Sequence, residues 1–208
     1  PSAPARVIQV SKSVASRGVA APTDLTGTFS RKAAFGDTVI AFATTGFGCK
    51  ATKGWRVLGD GSGSTAVAYH FVVPGDGETF VPFTTPRVNG YSLVLVEVRG
   101  GTAVLSTSRV TGPLSLSIPQ VGGIALDLEA LNASDHDRAT TYPRGQKTRL
   151  LAAVAGGGNM AQLVVRATST EPKSARQPFS AIMRSPSHAV GVSGPPIGQW
   201  LIWIEGRQ

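Results

Sequence analysis

Cysteine is almost missing from this sequence. With Cys49 alone among 208 residues, no intramolecular disulfide and no cysteine-based zinc centre can form. A catalytic thiol needs a neighbouring base, and no histidine lies near Cys49 in sequence. Charge is also scarce, at 15% of residues, against roughly 25% in ordinary domains. Aromatic residues make up only 7%. No apolar run approaches the roughly 18 to 20 residues of a membrane-spanning helix, so no membrane insertion is expected. The opening Pro1-Ser2-Ala3-Pro4 lacks the apolar core of a signal peptide. The expectation is synthesis in the cytoplasm without a classical export signal.

Turn-forming residues and basic charge are plentiful. There are 25 glycines and 14 prolines beside a 41% hydrophobic content, a composition of many short strands joined by tight turns. A length of 208 residues suits one all-β domain of about 200–250 residues. Fourteen Arg and six Lys against twelve acids give a net charge of +8. The basic residues are spread from Arg6 to Arg207 without a run, whereas nucleic-acid modules cluster theirs, so nucleic acid is not the expected partner.

Strand signals recur along the chain. Residues 38–44 form an apolar, β-branched run after the Gly36-Asp37 turn, 55–58 follow Gly54, and 65–73 alternate, with Val67, Tyr69, Phe71 and Val73 on one face and His70 on the other. The 74–78 stretch, Pro-Gly-Asp-Gly-Glu, predicts a hairpin turn, and Pro82 predicts that 80–83 is a short edge strand. Residues 91–98 set Ser92, Val94, Val96 and Val98 against Tyr91, Leu93, Leu95 and Glu97, as in the centre of a sheet. Further strands are expected at 6–10, 114–118 and 124–131, with a strand-turn-strand over 148–167. The last, 199–205, carries Trp200 and Trp203 on opposite faces and belongs inside the fold or at an interface. The expected architecture is a single β-sandwich or jelly-roll-like domain of about ten to twelve strands over residues 31–208. Residues 1–30 read as an N-terminal arm or a strand-containing anchoring segment.

Chemistry-bearing motifs are sparse. Asp135-His136-Asp137 offers two carboxylates and an imidazole, but adjacent side chains diverge, so a solvated turn is expected and no metal or cofactor. No nucleophile-elbow, phosphate-loop or zincin pattern occurs, and Gly156-Gly157-Gly158-Asn159 precedes no helix. Asp127 and Glu129 share a strand face, with Glu97 as a third carboxylate, which admits a glycosidase pair as a minor reading. Two long polar loops, 134–147 and 168–178, interrupt the strands. In and beside the first, Arg138, Tyr142, Arg144, Lys147 and Arg149 are the candidate surface-contact residues.

The order of Gly36-Asp37 before a strand, Gly54-Trp55, the 64–73 strand, Thr79-Phe80-Val81-Pro82-Phe83 and the 91–100 strand resembles a β-sandwich module of tailed bacteriophages. That module occurs in minor tail and other accessory virion proteins, especially in phages of actinobacteria, and the resemblance covers roughly residues 30–206. It implies a non-enzymatic structural protein of the virion that assembles with other virion proteins, as a homo-oligomer or in many copies. It transfers no active-site residue. The chain shows no coiled-coil or collagen-like stalk, which favours a protein seated directly on the tail or capsid over a distal fibre. A minor tail protein is the first expectation and a capsid decoration protein the second. A module binding glycans of the bacterial surface through the 134–149 loop, and a carbohydrate-active enzyme, are the other two.

Overall fold

Side chains alternate across a strand, so a strand that is apolar at both parities needs cover on both faces. Residues 38–45 and 91–98 are of that kind, and their cover organises the fold. The computed structural model describes residues 4–15, 23–45, 48–58, 65–86, 90–109, 112–117, 123–132, 148–155, 161–168, 178–183 and 198–206. These contain fifteen strands: β1 Arg6–Ala15, β2 Thr23–Thr28, β3 Thr38–Thr45, β4 Lys50–Ala51, β5 Arg56–Val57, β6 Thr65–Phe71, β7 Thr79–Thr85, β8 Tyr91–Arg99, β9 Gly101–Arg109, β10 Gly112–Ser117, β11 Ile124–Asn132, β12 Thr148–Ala155, β13 Ala161–Thr168, β14 Pro178–Met183 and β15 Gly198–Gly206. The fold is all-β and every pairing is antiparallel.

A five-stranded central sheet runs β1-β8-β3-β6-β5. On one face a second five-stranded sheet, β12-β13-β11-β15-β9, packs against it. Ile40, Phe42, Val67, Val94, Val96 and Val98 of the central sheet meet Leu126, Leu128, Leu163, Val165, Trp200 and Ile202 there. Phe42 and Trp200 meet edge to face, with ring centroids 5.5 Å apart. On the other face, Val39, Ala41, Ala43, Ala66, Leu93 and Leu95 pack against Leu25, Phe80 and Phe83 of a small sheet, β2-β7-β4. The central sheet is thus the middle layer of three, and all eight residues of β3 are buried. A β10-β14 ribbon lies beside β9 and β15. One residue, Gly100 with φ 81°, carries the chain from β8 in the central sheet to β9 in the large outer one, a backbone state open to glycine at little cost.

Several strands fall where the sequence places them, including β11, the β12–β13 pair and the buried β15, with Trp200 in the main core and Trp203 on the opposite face. Two expectations change. The 74–78 turn joins β6 of the central sheet to β7 of the small sheet instead of closing a hairpin. Proline and glycine encode a tight turn, but not which strand pairs with which. β7 is the centre of its sheet and not an edge. Between Leu25↔Phe83 and Gly27↔Phe80, two steps of β2 face three of β7; this bulge accommodates Pro82, which has no N–H to donate. The same extra residue brings Phe80 and Phe83, three apart, onto one face.

Of residues 1–30, β1 pairs along its length with β8, and β2 with β7. The 134–147 loop, with Asp135-His136-Asp137, lies outside the described residues.

Close approach at one glycine gives a direct test of the packing. A Cβ on Gly123 would land on the Trp203 ring and the Ile204 carbonyl, and Trp203 is fully buried. Gly123→Ala is expected to lower unfolding free energy in urea by about 1–3 kcal/mol. Gly77→Ala, where a Cβ meets nothing within 4 Å, should cost less than about 0.5 kcal/mol.

Candidate functional site

β8 places one carboxylate in the middle layer. Glu97 shares the parity of Leu93 and Leu95 and is 1% exposed. An uncompensated charge there would cost several kcal/mol, and the neighbouring chain supplies partners. Gln9 of β1, opposite Glu97 in the register, donates Nε2–H to Oε2 at 2.6 Å. The Ala34 N–H donates to Oε1 at 2.9 Å. Gln9 in turn donates to the Arg31 carbonyl at 2.9 Å and accepts from Ser30 Oγ at 3.2 Å. One buried acid thus ties the 29–37 loop to the end of the central sheet, directly at Ala34 and through Gln9 at Ser30 and Arg31, while the Phe29 and Ala33 N–H groups bond to the Glu78 and Gly77 carbonyls. The Gly36 N–H bonds to the Val72 carbonyl and the Asp37 N–H to the Ala34 carbonyl, which closes the loop tightly.

Asp37 lies beside Glu97 and accepts from Arg99 Nε at 3.3 Å. Burial, then a hydrogen bond shared with the Glu97 carboxyl, push the Asp37 carboxyl up to about 6, against the pull of the Arg99 guanidinium. Around this anchor the surface is basic. Arg6 and Arg99 are directly opposed across β1 and β8, and Arg31, Lys32 and Phe35 project from the loop, Phe35 at 73% exposure.

A second cluster pins the layers together. His70 of β6 places Nδ1 3.0 Å from the Gly54 carbonyl and Nε2 2.8 Å from Asp76 Oδ2, which also accepts the Val73 N–H at 2.8 Å. Trp55 stacks on the imidazole with centroids 5.3 Å apart. Both ring nitrogens are engaged, so neither is left to act as a general base. Cys49 is buried 3.6 Å from Thr45 Oγ1, and desolvation pushes its thiol up, away from the reactive thiolate.

The third cluster contains the other two carboxylates. Asp127 and Glu129 lie on the face of β11 opposite the main core, both fully buried. Gln199 Nε2 donates to Asp127 Oδ1 at 2.9 Å. Arg166 Nη1 stands 3.2 Å from Glu129 Oε2, an ion pair by distance without the alignment of a hydrogen bond. A glycosidase pair must flank a sugar, and these side chains have no solvent-exposed surface. Glu97 is not brought to them, because it faces the small sheet on the far side of the central layer.

Of the predicted surface-contact residues, Arg138, Tyr142, Arg144 and Lys147 lie outside the described residues, and Arg149 is exposed on the sheet-edge strand β12. Among the described residues no group of three or more His, Cys, Asp or Glu side chains could hold a metal ion. The 29–37 loop was legible only as a turn before β3, because its anchor, Glu97, comes some 60 positions later. No protein-family model, curated protein or solved structure matches this chain.

The Asp37–Glu97 pair predicts a pH dependence of defined sign. A carboxyl whose folded pKa is raised to about 6 from an ordinary 3.8 stabilises the fold fully below the ordinary value, and loses that contribution as pH rises through about 6. Asp37→Asn keeps a donor toward Glu97 and cannot ionise. The variant should gain stability relative to the parent between pH 4 and pH 7 in paired urea titrations; a difference that is flat or falls with pH contradicts the assignment.

Proposed function

We propose that this chain is a structural protein of a tailed-phage virion, a minor tail protein in the first instance, that works by docking to neighbouring virion proteins. Support comes from two directions. The order of strand motifs over roughly residues 30–206 resembles the phage β-sandwich module. The observation that carries the reading is where the polar chemistry sits. Glu97, Asp127, Glu129 and His70 are engaged inside the scaffold, whereas the exposed cationic and aromatic side chains of the 29–37 loop are presented by a rigid backbone. A three-layer β-structure with a doubly covered middle sheet suits a passive part that must hold shape under load. Docking through a pre-ordered loop then carries little entropic cost.

The direct test is composition of the particle. Antibodies to the purified chain should label density-gradient-purified particles of the phage that encodes it, with immunogold on the tail. Gold confined to the head would make it a capsid decoration protein. Detection in the infected-cell lysate but not in particles would contradict a virion role.

A further inference from the structure

We infer that the rim formed by Arg6, Arg31, Lys32, Arg99 and Phe35 is a docking surface for an acidic, extended segment of a neighbouring protein. The inference deepens the docking reading above and rests on it only in taking the partner to be a protein of the same particle.

The rim is one surface. Cross-strand partners share a face, so Arg6 and Arg99 lie on the side of the central sheet that carries Glu97 and Asp37. The 29–37 loop lies over that same patch through Ala34, Arg31 and Ser30. Like charges placed directly opposite across a sheet disfavour the pair, and Arg6 opposite Arg99 is such a placement. Among the described residues, Asp37 is the acid bonded to Arg99, and no acid is bonded to Arg6, Arg31 or Lys32. The carboxylates beneath are committed inward: Glu97 is held by Gln9 and the Ala34 N–H, and Asp37 is 4% exposed. Glu78, whose carbonyl takes the Phe29 N–H, is the exposed acid at the loop's far end. The patch stays positive and invites carboxylates from outside.

Phe35 decides which polyanion. It is 73% exposed although the bonds at Gly36 and Asp37 fix its backbone. An exposed aromatic on the loop that carries Arg31 matches the enrichment of aromatic residues and Arg in protein–protein anchors. A duplex would meet the cations with its phosphates and leave Phe35 wet, since its paired bases are stacked inside and offer the ring no face.

The probe is a fluorescein-labelled Glu-rich peptide carrying a single Phe, read by anisotropy against the full chain, with duplex DNA of equal formal charge as competitor. Arg31→Glu/Lys32→Glu should weaken peptide binding by about tenfold or more. Lys50→Glu/Lys53→Glu, which changes net charge equally at exposed positions outside the rim, should weaken it by less than about threefold. Phe35→Ala should weaken peptide binding and leave DNA binding unchanged. Equal losses in the two double variants would overturn the inference, because binding would then follow net charge alone. Preferential binding of DNA, indifferent to Phe35→Ala, would overturn it in favour of a nucleic acid. Circular dichroism of each variant separates lost binding from lost fold. Rim-specific peptide binding by a chain missing from particles would refute the virion reading alone. A chain present in particles whose two double variants behave alike would refute the rim alone.

Discussion

Everything in this structure is referred to one strand that touches no water. β3 is hydrogen-bonded to β6 on one side and β8 on the other, and its side chains are buried above and below. Neither core would exist without it. Ile40 and Phe42 serve the large outer sheet, while Val39, Ala41 and Ala43 serve the small one. The division of sizes is itself a constraint. Large side chains point into the deep core between five-stranded sheets, and alanines allow the small sheet to approach closely. Gly27 of β2 completes that approach, since a Cβ there would overlap the Leu95 side chain. Apolar burial at about 25 cal/mol per Å² then acts on both faces of the same backbone, coupling the layers.

A charged residue inside such a layer has to be accommodated, and the surface features follow from how. Glu97 recruits Gln9 from the edge strand and the Ala34 N–H from the loop, and beside it burial, then the hydrogen bond with Glu97, push the Asp37 carboxyl up to about 6. Accommodating the buried acid thereby ties an exposed loop to the sheet, beside the backbone bonds that hold it to the 72–78 segment. On the other side, Glu129 with Arg166 and Asp127 with Gln199 do the same for the large outer sheet. Buried ion pairs of this kind contribute little net stability, but breaking one by removing a partner is expensive. They therefore fix which strand lies beside which.

The two-residue period of 91–98, apolar at both parities, was enough to place β8 inside a sheet, and the apolar run at 38–44 did the same for β3. Local chemistry also located the turns at Gly36 and at 74–78. It could not reveal that the second turn crosses between layers, because the partner of each strand is set by packing far away in sequence. Pro82 illustrates the limit. Its missing N–H argued for an edge, yet a bulge two residues long admits it to a central strand. The polar stretch after Val10 gave no strand signal, although residues 11–15 pair with β8 through their backbone. The basic rim was hidden for a related reason: Arg6, Arg31 and Arg99 are scattered in sequence and are gathered only by the β1–β8 register and the Glu97 anchor.

The doubly covered middle sheet is the claim on which the rest stands, and native-state hydrogen exchange tests it most directly. Amides of β3 and β8, such as Ala41 and Leu95, should exchange only through global unfolding, with matching free energies, and far more slowly than Val57 in the sheet-edge strand β5. Exchange of Ala41 through local opening, at rates like that of Val57, would mean that one of the two covering layers is not there.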